Sequence, residues 1–139
     1  MSQFIKNKHV GLKLKYLIDF YKEGKFSEAL KGIDKLIDSF PDFLFLVQFK
    51  GKILMSLNDF EGSLTYYTKS LEEKDLRLDA YLNIGVINKK LGKYNEAIDS
   101  YLNALKIDPK NVGAINNLGN LYSEQGKFEE AIEKFKMAI

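Results

Sequence analysis

The chain has 139 residues, 45% of them hydrophobic, 13% aromatic and 29% charged, with 21 basic against 19 acidic side chains and no cysteine. This is the profile of one soluble globular domain that needs neither disulfides nor a structural metal to stay folded. Without cysteine there is no thiol nucleophile, CxxC redox pair or thiolate zinc site, and a lone His9 cannot build a His-rich metal centre. A formal charge of +2, spread along the chain, argues against a nucleic-acid partner.

Residues 1–9 read as an irregular N-terminal extension that carries His9 on the surface, with no apolar h-region of a signal peptide. The longest apolar run, Phe43 to Val47, is far short of a membrane span, so a cytoplasmic chain without membrane contact is expected.

From residue 10 onward the chain repeats itself at an offset of 34, giving units 10–43, 44–77, 78–111 and an incomplete 112–139. Gly24-Lys25-Phe26 returns as Asn58-Asp59-Phe60, Gly92-Lys93-Tyr94 and Gly126-Lys127-Phe128. Each begins with a residue that tolerates positive φ. Three residues past the aromatic stands a small residue, Ala29, Ser63, Ala97 or Ala131, and four further on Ile33, Tyr67, Tyr101 or Phe135. Upstream, Leu17, Gly51, Gly85 and Gly119 share a column. Within a unit the apolar residues form two one-sided helical stripes, as in Ile115, Leu118, Leu121 and Tyr122, then Ala97, Ile98, Tyr101 and Leu105 one unit earlier. The Gly or Asn between the stripes predicts a left-handed cap, and Pro41 and Pro109 follow the second helix where continuation would cost about 3 kcal/mol. Each unit is therefore an antiparallel helix hairpin that buries both faces only when copies stack.

The run Tyr81-x-x-Ile84-Gly85, Ala97-x-x-x-Tyr101 and Pro109 resembles the tetratricopeptide repeat (TPR), and Ile115-x-x-Leu118-Gly119-x-x-Tyr122 with Ala131-x-x-x-Phe135 matches it as closely. The resemblance covers residues 10–139 and implies an all-α, right-handed TPR solenoid of antiparallel helix hairpins. The second unit departs at Lys50, Ser63 and Asp75, the first at Leu17 and Leu36, which leaves the packing of the first unit open.

Candidate chemistry is sparse. The Gly-Lys pairs at Gly24, Gly92 and Gly126 are followed by Phe or Tyr where a phosphate loop needs Ser or Thr, so they read as turns. Carboxylate pairs such as Asp34/Asp38 and Glu129/Glu130 read as solvated helix surface. No catalytic residue, metal site or cofactor is expected, and the chain reads as a protein-interaction scaffold. In TPR arrays the first helix of each hairpin lines a concave groove that binds extended peptides or partner helices. The resemblance places Lys15, Ile18, Tyr21 and Lys22 in that groove from the first unit, and Gln48, Phe49, Lys52 and Met55 from the second. The third gives Leu82, Asn83, Val86, Lys89 and Lys90, and the fourth Asn116, Asn117, Asn120 and Ser123. Asn83 and Asn117, one unit apart, resemble the asparagine ladder of peptide-glycosylating enzymes, and a paired Ala substitution there is expected to abolish peptide binding without changing melting. The two-carboxylate clamp of chaperone-binding TPR domains is not matched, since only Asn83 of five positions agrees. Lysines 15, 22, 52, 89 and 90 favour a partner with acidic residues. The sequence stops at Ile139 inside the second helix of its last unit, leaving Phe128, Ile132, Phe135 and Ile139 one apolar flank. Self-association through that end, or continuation as the substrate-recruiting arm of a larger enzyme such as a glycosyl- or sulfo-transferase, are the alternatives to a stand-alone adaptor.

Overall fold

A computed structural model describes the backbone of residues 3–137 and the side chains from residue 7 onward, with that of Phe135 excepted. The described chain is all-α, with eight helices in order: α1 (Gln3–Lys22), α2 (Phe26–Ser39), α3 (Leu44–Ser56), α4 (Phe60–Ser70), α5 (Arg77–Lys90), α6 (Tyr94–Ile107), α7 (Val112–Glu124) and α8 (Phe128–Met137). A short 3-10 turn, Lys74–Leu76, precedes α5 where the sequence has Asp75 in the proline column. The helices group into two compact units that divide between Ser70 and Leu71, α1 to α4 in one and α5 to α8 in the other. Each unit holds two hairpins.

The four hairpin turns share one construction. Gly24, Gly92 and Gly126 have φ of 75–76° and Asn58 has φ 62°. In each, the amide of this residue bonds the carbonyl three back and the next amide bonds the carbonyl five back: Gly24 to Tyr21 and Lys25 to Phe20, Gly92 to Lys89 and Lys93 to Asn88. This Schellman pairing satisfies carbonyls that a helix end would otherwise orphan, and it needs the left-handed conformation that the sequence pattern anticipates. Asn111 and Asp59 add side-chain caps, accepting from the amides of Ala114 at 2.9 Å and Gly62 at 3.0 Å.

Inside the hairpins, small residues face large ones. A Cβ on Gly51 would stand 2.9 Å from the Tyr67 ring, and one on Gly85 would stand 2.6 Å from the Tyr101 ring. Both rings are buried, so the glycines are required by close approach and not by backbone torsion. Ser63, in the alanine column, is accommodated because its hydroxyl donates to the Gly51 carbonyl at 2.6 Å. The first unit's core gathers Val10, Leu17, Ala29, Ile33, Leu36, Leu46 and Ile53, and the second's gathers Ala97, Ile98, Tyr101, Ala104, Ala114, Leu118 and Leu121.

Three local expectations change. Helix α1 begins at Gln3, so His9 lies on a helix and not in an irregular extension; it is exposed, with its ring edge-on to Phe40 at 6.0 Å. Leu17 packs well in the first hairpin because Gly32 on α2 vacates the space it enters. Asp34 is not simply solvated: it pairs with Lys50 at 2.6 Å, which is how Lys50 is tolerated in an apolar column.

Candidate functional site

The expected groove residues sit on the first helix of each hairpin, α1 and α3 in one unit and α5 and α7 in the other. Their 34-residue spacing carries each column to the same face of successive first helices.

In the first unit, the α1–α3 face is built around Tyr21. Its ring lies 5.8 Å from Phe49 and 5.2 Å from Phe26, and its hydroxyl stands 2.9 Å from the Ser56 hydroxyl. The Lys52 ammonium rests 5.2 Å over the same ring. Lys15, Lys22 and Lys52 are exposed, Ile18 and Met55 half-buried. Gln48 turns to α4, donating to the Ser70 hydroxyl at 3.1 Å, and Ser70 in turn donates to the Tyr67 carbonyl at 2.6 Å. The structure thus brings Tyr21, Phe49 and Lys52 together and engages Gln48 in holding the hairpin.

In the second unit, Asn116 and Asn120 are exposed on α7, with Ser123 half-buried one turn beyond Asn120. On α5, Leu82 and Val86 are half-buried, and Lys89 pairs with Glu124 of α7 at 2.9 Å; Lys90 is exposed. The two ladder asparagines are in different states. Asn83 donates to the Asp79 carbonyl at 2.8 Å and to its carboxylate at 3.3 Å, a contact within its own helix that water or a ligand can replace. The Asn117 amide is hydrogen-bonded to the hydroxyl of buried Tyr101. Burial pushes that phenol up to about 12, against the opposing pull of the Asn117 hydrogen bond. Asn117 therefore packs the α6–α7 joint, and an Ala there would strand a buried hydroxyl. The paired Ala substitution is therefore expected to lower melting as well as peptide binding. At the first joint the same two columns hold Ile33 and Phe49, so an apolar pair stands there in place of the polar one.

Open clefts lie between neighbouring helices. One of about 280 Å³ is lined by α1 and α2, one of about 400 Å³ by residues including Asp34, Lys50 and Tyr66, and one of about 680 Å³ by α6 and α8 with Pro109. In the second, burial lowers the Lys50 ammonium but the hydrogen bonds it donates to Asp34 and Tyr66 outweigh that, and the net shift is upward. Among the described residues, no group of three or more His, Cys, Asp or Glu could hold a metal ion, and no helix is long and apolar enough to cross a membrane.

Comparison with known proteins agrees with this architecture. Tetratricopeptide-repeat profiles match residues 47–75 and 114–139, and a TPR-repeat profile matches residues 89–126. A crystal structure of MamA is similar with TM-score 0.85 and 20% identity, covering 93% of this chain and 75% of that one. MamA from Desulfovibrio magneticus RS-1 is similar with TM-score 0.84 and 17% identity, covering 93% and 73%. At such identities the likeness is one of fold. A UDP-N-acetylglucosamine–peptide N-acetylglucosaminyltransferase of Giardia intestinalis is 28% identical over 90 residues, 65% of this chain; the chain spans 6% of that relative's length.

Proposed function

We propose, from the chain's membership of the tetratricopeptide-repeat family, that it is a non-catalytic scaffold whose first-helix faces bind an extended segment of a partner protein. The observation that carries this reading is that Asn83 on α5 and Asn116 and Asn120 on α7 are accessible, with Lys89 of α5 paired to Glu124 at the end of α7. A side-chain amide both donates and accepts, so it can pair with the backbone of an extended chain whatever that chain's sequence. Exposed Lys15, Lys22 and Lys52 on α1 and α3 bias the choice toward partners with acidic residues. The test is fluorescence anisotropy with labelled extended peptides graded from basic to acidic. Acidic peptides should bind more tightly, Asn83→Ala should weaken them, and added salt should narrow the difference. Equal, weak binding of all peptides would overturn the reading.

A second reading has one specific observation behind it, the 28% identity with the Giardia glycosyltransferase. In it the chain serves as the substrate-recruiting part of a larger enzyme, presenting the acceptor segment by the same first-helix faces. A reading frame that continues into a domain with catalytic motifs would favour it.

A further inference from the structure

Two surfaces are more open than their counterparts elsewhere in the repeat. On α1, Leu12 is 58% and Tyr16 71% exposed. Their counterparts on α3 are Leu46, fully buried with the α2 residues Ala29 and Ile33, and Lys50, tied to Asp34 of α2. On α7 they are Ala114 and Leu118, buried in the core shared with α6. On α8, Ile132 is 54% exposed, whereas Leu30 of α2 packs on the first core and Ile98 of α6 belongs to the second; Phe128 is 66% exposed, more than its half-open counterpart Tyr94 at 43%. So α8 carries the donor side of the repeat's own joint and α1 its acceptor side. The side chain of Phe135 and residue Ile139, expected on the same flank, lie outside those the structure describes.

The acceptor side also has a groove. Beside Tyr16, Leu17, Gly32 and Leu36 line a hollow of about 280 Å³ with Lys13 and Lys35. The equivalent place between α6 and α8 brings Asp99 of α6 beside Lys134 and Met137 of α8. One repeat past Asp99 stands Glu133, and three repeats before Met137 stands Lys35. A donor carboxylate and an acceptor ammonium thus fall at matching positions of the two open surfaces. Charge leans the same way: α8 has Glu129, Glu130 and Glu133 against Lys134 and Lys136, and α1 has Lys8, Lys13 and Lys15 before its first acid, Asp19.

We propose that a second copy of this chain covers these surfaces. Helix α8 of one copy docks on α1 and α2 of the next, with Ile132 against Tyr16 and Glu133 facing Lys13 and Lys35, continuing the repeat across the molecular boundary. This contact is distinct from the peptide-binding faces and independent of that reading. It is heterologous, a donor surface of one copy meeting the acceptor surface of the next, so it can propagate beyond two copies. Asp19 stands where Ile53 and Leu121 are buried in the other joints, which makes the contact weaker than the internal ones.

Sedimentation equilibrium of the full chain at rising concentration is the test. Mass should grow past that of a dimer and fall with added salt. Ile132→Asp and Tyr16→Ala should each abolish or strongly weaken growth with unchanged circular dichroism, since both side chains are exposed. Glu133→Lys or Lys35→Glu alone should weaken association about tenfold or more, and mixing these two variants should restore it, because alternating copies then pair opposite charges at every joint. A monomer at every concentration, association indifferent to Ile132→Asp, or no recovery on mixing would overturn the proposal.

Discussion

Leu17 and Gly32 exchange the parts that Gly51 and Tyr67 play one repeat later. In the second hairpin the glycine is on the first helix and the large residue on the second; in the first hairpin Leu17 of α1 presses into the space that Gly32 of α2 leaves free. The close approach is kept and its polarity reversed. Gly32→Ala would drive a Cβ into the end of the Leu17 side chain, which can turn into the cleft beside it, so this overpacking should largely offset the roughly 1 kcal/mol that Ala gains over Gly in a helix. Urea melts should show a larger gain for Gly32→Ala in the Leu17→Ala background than alone, a coupling expected of residues in contact.

Gly85 makes the same point with a more rigid neighbour. An Ala there meets Tyr101, a ring 1% exposed with no room to retreat. Gly85→Ala should therefore lower stability by about 1–3 kcal/mol, whereas Gly113→Ala, near open surface, should change it by less than about 1 kcal/mol.

Asn117 and Tyr101 form a second coupled pair. Asn117→Ala leaves a buried hydroxyl unpaired and should cost about 1–3 kcal/mol, while adding Tyr101→Phe removes the orphaned group and should recover much of the loss. The same phenol sets an alkaline limit. Its pKa is raised from 10.0 to about 12 in the folded chain, so the native state holds its proton where the unfolded state releases it. Stability from this group is present below pH 10 and lost as pH climbs toward 12, and denaturation midpoints across that range should fall less steeply in Tyr101→Phe.

The buried end of Lys50 offers a third contrast. Lys50→Met keeps the bulk, removes a partly buried ion pair and should be neutral or slightly stabilising. Asp34→Ala leaves the ammonium without its carboxylate and should cost about 1 kcal/mol by thermal melting, the pair being half-exposed on the acid side.

Much of this architecture is legible from spacing alone, because each hairpin repeats one solution to one packing problem. The positive-φ turn residues, the small column opposite the aromatic column and the two stripes per unit all follow from local geometry that the residues themselves constrain. What spacing conceals is compensation between columns. Nothing at Leu17 announces Gly32, and nothing at Lys50 announces Asp34, since the partner sits on another helix at no fixed offset. The site is less legible for the same reason. A column places Asn83 and Asn117 alike, yet one bonds its own helix and the other is held by Tyr101. The family resemblance supplies the face; the partners of each amide come from the packing around it.

The central claim is that first-helix faces carry recognition. Backbone NMR of the isotope-labelled chain, titrated with the tightest acidic peptide from the anisotropy series, tests it most directly. Shifts are expected at Asn83, Lys89, Asn116 and Asn120 on α5 and α7 and at Lys15 and Lys52 on α1 and α3, and Asn83→Ala should weaken binding with melting unchanged. Shifts confined to α2, α4, α6 or α8, with those first-helix residues unmoved at saturation, would contradict it.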